Sequence, residues 1–302
     1  MMAVLELEGH GLSSGRRAVL QPSGRPGLQR LVDQVVAFCH HVVQIASSKE
    51  TKGSIQDSTT APSNKINIIL AGTSLGGILA AYAAPRVFKE SKQRSNGGTC
   101  SVSFGGCLLL SPAVGVAPEA CPPPVVVSAL SCLAWIAPSS AILTPEEDPS
   151  HYACPSWSTR NFKGQWPLGT SKLLLDISSD IVPNDVENII DENAEANNQN
   201  ETSSSLSFHL PKFDGANSPY KVLVLAGQKD PVVPIATVKQ FVDSINRGNN
   251  QKTLREDATR REESCACTLV EIPKGDHGLL ARKKGQIVEA TMIEIEKFLV
   301  SF

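Results

Sequence analysis

The chain has 302 residues, 41% hydrophobic and 19% charged, with a formal net charge of −2. That balance is globular and suits one large α/β domain or two small ones. It provides no nucleic-acid face: the only basic cluster, Arg282-Lys283-Lys284, is short and reads as a solvated helix start. In chain order, Met2 to Leu7 is half apolar and reads as a short strand. The opening MMAVLELEGHG has no basic region and no long apolar core, so no signal peptide is visible. Glu8 to Gly15 is a glycine-rich loop. Leu28, Leu31, Val32, Val35, Val36, Cys39, Val42 and Val43 recur at helical spacing and predict an amphipathic helix over 28–46. Residues 47–64 read as a flexible polar insert.

Ile66 to Leu70 is a short apolar run with β-branched residues, the pattern of a buried strand. Gly72-Thr73-Ser74-Leu75-Gly76 follows at once, and Ile78, Leu79, Ala80, Ala81 and Ala83 continue as a helix to about Glu90. Strand, Gly-x-Ser-x-Gly, helix is the context of a nucleophile elbow. The turn leaves little room beside Ser74, so glycines flank it. The following amide lies at a helix N-terminus, where negative charge is favoured. A polar insert covers 91–101, and Phe104 to Leu110 is another buried strand ending at Ser111-Pro112.

Residues 113–218 break this rhythm and divide the strand–helix core into 1–112 and 219–302. Pro122-Pro123-Pro124 opens an apolar stretch, Val125 to Ile136, too short to span a bilayer. It reads either as a buried core helix or as one wall of a lipid-accepting cap, and its insertion between core elements favours the cap. Residues 187–218, rich in Asn, Glu and Ser, are expected to be partly disordered. Strand–helix alternation resumes with strand 221–226, the turn Gly227-Gln228-Lys229-Asp230 and a helix over 234–245. After a polar insert at 247–264 come strand 267–272, the loop Lys274-Gly275-Asp276-His277-Gly278 and a final amphipathic helix over 286–302. The expected fold class is therefore α/β, a parallel sheet with helices on both faces. The eight cysteines lack Cys-x-x-Cys pairs, and Cys265-Ala266-Cys267 lacks matching partners for zinc. Free thiols in a reduced, cytoplasmic compartment are the plainer expectation.

A serine hydroxyl is a poor nucleophile near neutral pH and needs a base within hydrogen-bond reach. That base should be an imidazole held by a carboxylate. In an elbow architecture the partners follow in the order Ser, Asp or Glu, His, each in a loop after a strand. Asp230 and His277 meet that order, and loops of a parallel sheet gather at the carboxyl ends of its strands. His40 and His41 fall within a helix. His10 lies in a loop before it and reads as structural. His151 and His209 have no strand before them, and Asp276 would crowd His277 rather than orient it.

These stretches together resemble the monoacylglycerol lipase-like branch of the α/β-hydrolases, the group that includes lysophospholipases. Leu5 to Gly15 is similar to the family's D-x-x-G-H-G-x-S-x-G loop, with Glu6 where the family has Asp. Gly72 to Gly77 is similar to its G-x-S-M-G-G elbow, with Leu75 for Met. Leu225 to Asp230 resembles its acid loop and Gly275-Asp276-His277 its histidine loop; Phe162 to Leu174 resembles the end of its cap. The resemblance implies Ser74 as nucleophile, Asp230 as orienting acid, His277 as base and the Leu75 amide as an oxyanion donor. It implies hydrolysis of a lipid ester, no metal or organic cofactor, and peripheral contact with a membrane through the cap. Two alternatives stand beside it: a catalytically impaired lipid-binding or scaffold homologue, and a peptidase or thioesterase of the same fold. The family also carries strands before residue 2 and a His-Gly loop supplying a second oxyanion amide. Their lack implies an N-terminally truncated gene model, poorly soluble and nearly inactive as the 302-residue chain.

Overall fold

The computed structural model describes residues 2–5, 25–51, 65–95, 101–117, 122–137, 140–143, 165–169, 171–172, 175, 220–253, 267–280 and 285–302. In chain order the elements are α1 (Arg25–Thr51), β1 (Lys65–Thr73), α2 (Leu75–Ser95), β2 (Ser101–Leu110), α3 (Pro124–Ile136), β3 (Ala141–Leu143) and β4 (Gln165–Pro167). Then follow β5 (Lys221–Gly227), α4 (Ile235–Thr253), β6 (Cys267–Ile272) and α5 (Gly285–Val300). Strands β1, β2, β5 and β6 form one sheet in the order β1-β2-β5-β6, and every pair is parallel. Strands β3 and β4 form a separate antiparallel pair.

The register positions the site. Thr73 lies opposite Leu110, Leu110 opposite Leu225, and Gly227 opposite Ile272. The carboxyl ends of all four strands therefore meet at one edge of the sheet, where the loops carrying Ser74, Ser111, Asp230 and His277 emerge.

Alternation along β5 sorts the core into two faces, because successive side chains point to opposite sides. Val222, Val224 and Ala226 join α1, α2 and α4 through Val36, Ile78, Leu79, Val238 and Phe241. Leu223 and Leu225 face α5 through Ile295 and Phe298. Burial on both faces explains why β2 and β5 read as unbroken apolar runs.

Two polar ties hold α1 against the helix that follows Ser74. The Arg86 guanidinium bonds to Asp33, and His40 pairs with Glu90. His40 is thus a structural partner between α1 and α2. The Arg86 and Gln29 hydrogen bonds hold the exposed Asp33 carboxyl below its ordinary value.

Several expected boundaries shift. Residues 2–5 are not a strand: Met2 is 88% exposed and they have no ladder partner among the described residues. A half-apolar pattern cannot make a strand where no neighbour satisfies its backbone. Residues 6 and 7 lie outside the described residues, and β1 is the outermost strand on its side among those described. Helix α1 runs past the expected stop at 46. The hydroxyls of Ser47 and Ser48 donate to the carbonyls of Val43 and Ile45, so this polar stretch is satisfied while helical. Helices α2 and α4 likewise extend into the expected inserts, and β2 begins at Ser101. Residues 8–15, 52–64 and 187–218 lie outside the described residues.

Segment 124–136 is helical as expected, with proline at its first turn. It is not a core helix. Ala134 is its one buried residue, while Val125, Trp135 and Ile136 are 80%, 77% and 71% exposed. No helix among the described residues is long and apolar enough to cross a membrane.

Candidate active site

Ser74 stands at the point where β1 becomes α2. Its φ is 52°, a left-handed conformation that costs a residue with a Cβ. Four backbone hydrogen bonds hold it there. The Ser74 N–H donates to the Leu110 carbonyl at 2.9 Å. The Ser74 carbonyl accepts from the amides of Gly77 at 3.0 Å, Ile78 at 3.3 Å and Ala113 at 3.1 Å.

The two flanking glycines have different reasons. A Cβ on Gly72 would lie 2.1 Å from the Gly76 carbonyl oxygen, so no other residue fits without moving backbone. A Cβ on Gly76 would meet nothing within 4 Å. Crowding therefore explains the first glycine of the motif and not the last. Gly72→Ala should cost about 1–3 kcal/mol as an overpacked contact and lower Tm by several degrees. Gly76→Ala should fold with its Tm within a degree or two of the parent. Equal melting temperatures for Gly72→Ala and the parent would contradict this reading of the elbow.

The Ser74 Oγ lies 3.0 Å from His277 Nε2, and His277 Nδ1 lies 2.9 Å from Asp230 Oδ2. An ionised carboxylate can only accept, so Nδ1 carries the proton and Nε2 is free to take one from the serine. The other carboxylate oxygen, Asp230 Oδ1, accepts the amides of Val232 at 2.8 Å and Val233 at 2.9 Å. Burial pushes the Asp230 carboxyl up. The His277 hydrogen bond and the Val233 and Val232 amides outweigh burial and leave it below its ordinary value. The native state thus favours the ionised form, and the stability this adds is present above the ordinary value near 3.8. It is lost as pH falls through the lower folded-state value, so Asp230 remains an acceptor at neutral pH.

The acid and histidine loops touch through their backbones. The Lys229 amide donates to the Gly275 carbonyl at 2.8 Å, and the Gln228 amide to the Ile272 carbonyl at 3.2 Å. A Cβ on Gly227 would lie 2.5 Å from the carbonyl carbon of Gly275. This close approach of two glycines sets the spacing between Asp230 and His277.

All three expected side chains therefore come together. Asp276 is used elsewhere: its Oδ1 accepts the Gly278 amide at 3.0 Å and shapes the loop. His41 is exposed on α1, and His10, His151 and His209 lie outside the described residues. Leu75 opens α2, in the turn where helical amides have no intrahelical acceptor. The Gly77 and Ile78 amides already bond to the Ser74 carbonyl. Burial pushes the Cys39 thiol up to about 11, so it is no rival nucleophile. Sequence reasoning missed the amides of Val232 and Val233, although Asp-Pro turns commonly place the aspartate oxygen on amides two and three residues on. It also missed the strained Ser111 after β2, for which no local signal exists.

The family described as serine aminopeptidase, S33 (Hydrolase_4) matches residues 2–260. No curated protein matches the chain. Among solved structures, a soluble variant of monoglyceride lipase from Saccharomyces cerevisiae, in complex with a substrate analog, is similar with a TM-score of 0.55 at 12% identity. That match covers 97% of this chain and 75% of the yeast chain. The monoacylglycerol lipase of Paleococcus ferrophilus aligns with a TM-score of 0.46 at 14% identity, over 95% of this chain and 79% of its own. The fold is that of the α/β-hydrolases, here with four parallel strands among the described residues.

Proposed function

We propose that this chain, which belongs to the serine aminopeptidase, S33 (Hydrolase_4) family and is a serine hydrolase, cleaves carboxylic esters through an acyl-enzyme on Ser74. The observation that carries the reading is the continuous relay from Ser74 Oγ through His277 to the buried Asp230 carboxylate. Ser74 Oγ attacks the ester carbonyl as His277 Nε2 takes its proton. The developing oxyanion is stabilised by the Leu75 amide at the start of α2. His277 then protonates the departing alcohol. Water, deprotonated by the same imidazole, releases the acid. Nucleophile, base and orienting acid are all side chains of this chain, and the relay calls for no cofactor.

Monoacylglycerol or lysophospholipid is the substrate class we favour. The support is α3, an uncharged helix with exposed Val125, Val126, Leu133, Trp135 and Ile136. In this reading α3 belongs to a cap inserted over 113–218 and contacts both the acyl chain and the lipid surface from which it is drawn. The chain leaves β2 beside Ser74, and the Ala117 amide bonds to the Val232 carbonyl of the acid loop at 2.9 Å a few residues before α3 begins.

If α3 takes the acyl chain, kcat/KM should rise with ester chain length, by about fourfold per contacted methylene, from about 0.8 kcal/mol each. Leu133→Asp should depress long-chain substrates much more than acetyl esters. Leu133 is half exposed, so a charge there leaves the core intact. Equal losses on acetyl and long-chain esters would remove the lipid assignment.

The description of the matched family favours a second reading, an aminopeptidase using the same relay. Aminoacyl-nitroanilides turned over faster than nitrophenyl esters would favour it. A homologue without catalysis would fail to label with a fluorophosphonate, which reacts only with an activated serine.

A further inference from the structure

Ser111 follows β2 in a conformation that its local sequence disfavours. Its φ is 41°, left-handed for a residue with a Cβ. It also precedes Pro112, a position biased toward extended backbone. Its hydroxyl is fully buried and has no hydrogen-bond partner among the described residues, so the side chain does not hold the turn. Unsatisfied groups and left-handed residues persist where surrounding structure over-determines them, and they cluster at functional sites.

What surrounds Ser111 is the nucleophile. The residue before it, Leu110, offers its carbonyl to the Ser74 N–H at 2.9 Å. Two residues after it, the Ala113 N–H donates to the Ser74 carbonyl at 3.1 Å. One short segment therefore grips both peptide groups of Ser74. The Ser111 N–H anchors that segment to β5 through the Leu225 carbonyl at 2.8 Å. An extended Ser111 would carry the chain onward by about 3.3 Å per residue, away from the elbow. The left-handed turn brings Ala113 back. Pro112 fills the space against the helix start, where a Cβ on Gly77 would lie 3.2 Å from its side chain.

We propose that Ser111 is a positioning residue for catalysis: its left-handed backbone holds the Leu110–Ala113 clamp that keeps Ser74 left-handed and its hydroxyl on His277. One strained residue thus supports another across the β1–β2 boundary. The proposal rests on the reading of Ser74 as the nucleophile.

The test is a series at position 111, with kcat and KM on a soluble nitrophenyl ester and the fluorophosphonate labelling rate of Ser74. Ser111→Gly adopts positive φ without strain and should keep kcat close to the parent. Ser111→Val resists it and should lower kcat about a hundredfold with KM within threefold, labelling falling in parallel. Ser111→Ala, which removes only the unpartnered hydroxyl, should follow the parent rather than valine.

A folded Ser111→Val with parental kcat would overturn the proposal, as would a Val effect confined to KM. Should valine fail to fold, the other two variants decide. A folded Ser111→Gly or Ser111→Ala losing more than tenfold in kcat would show that the hydroxyl, not the backbone, matters. A parent protein that neither labels nor hydrolyses any ester would overturn the nucleophile reading itself and this proposal with it. An active parent with the wrong series overturns only the role of Ser111.

Discussion

Alanine at Ser74 should lower ester turnover by about six orders of magnitude relative to the parent, the loss typical of removing a nucleophile from an intact relay. The His277–Asp230 pair at 2.9 Å does not depend on the serine hydroxyl, so the base stays in place with nothing to activate. His277→Ala should cost about as much, because a serine without its base is a poor nucleophile. The double variant should be hardly worse than either single one, since residues acting as a unit are not additive. The measurements are kcat on a nitrophenyl ester and covalent labelling by a fluorophosphonate, with circular dichroism as the folding control. Substantial turnover by folded Ser74→Ala protein would sink the mechanism.

Asparagine at Asp230 should lower kcat by about 10⁴, with KM little changed. The structure supplies the reason. Oδ1 accepts two backbone amides, from Val232 and Val233, and Oδ2 faces His277 Nδ1. An asparagine has one oxygen for these two places. Left on the amides, the oxygen puts an NH2 donor against Nδ1, and the imidazole shifts its proton to Nε2, where it can no longer accept from Ser74. Turned to His277 instead, it sets the NH2 against two amide donors on a side chain with 2% exposure, and the loop must open. Either arrangement defeats the base. The discriminating measurement is kcat against pH. A variant with the wrong tautomer regains activity only at high pH, by hydroxide-assisted attack. A folded Asp230→Asn enzyme with more than a tenth of the parental kcat near neutrality would show that Asp230 does not orient the imidazole.

Much of this was legible in the residues. The 3.6-residue period of α1 and α5 and the apolar runs of β1, β2 and β5 announced their types, because a helix stripe and a doubly covered strand each leave a local pattern. Gly72-Thr73-Ser74-Leu75-Gly76 between such a strand and helix pointed to the elbow. The order Ser, Asp, His, with each partner in a loop after a strand, pointed to the other two. The misreadings share a cause. Met2 to Leu5 has a strand's composition without a strand's neighbour among the described residues, and pairing is not a local property. The polar end of α1 looked like a loop because serines usually favour one, but here their hydroxyls return to their own helix. Apolar composition alone left α3 as either core or cap, and only the structure shows most of its large apolar residues exposed.

By itself the sequence determined the fold class, the three side chains of the relay and the order in which they arrive. Those follow from periodicity and from motifs whose residues are neighbours in the chain. Only the tertiary structure decided that Gly72 is required by crowding while Gly76 is not, and that Ser111 shares the strain of Ser74. Ser74 and His277 lie 203 residues apart yet meet at 3.0 Å. A contact at that separation is set by the parallel register of β1, β2, β5 and β6, which brings four strand ends to one edge, and by the Gly227–Gly275 approach, which fixes the distance between two loops. Neither constraint has a signature in any short stretch of residues, because each is a property of backbones that become neighbours only when the sheet forms.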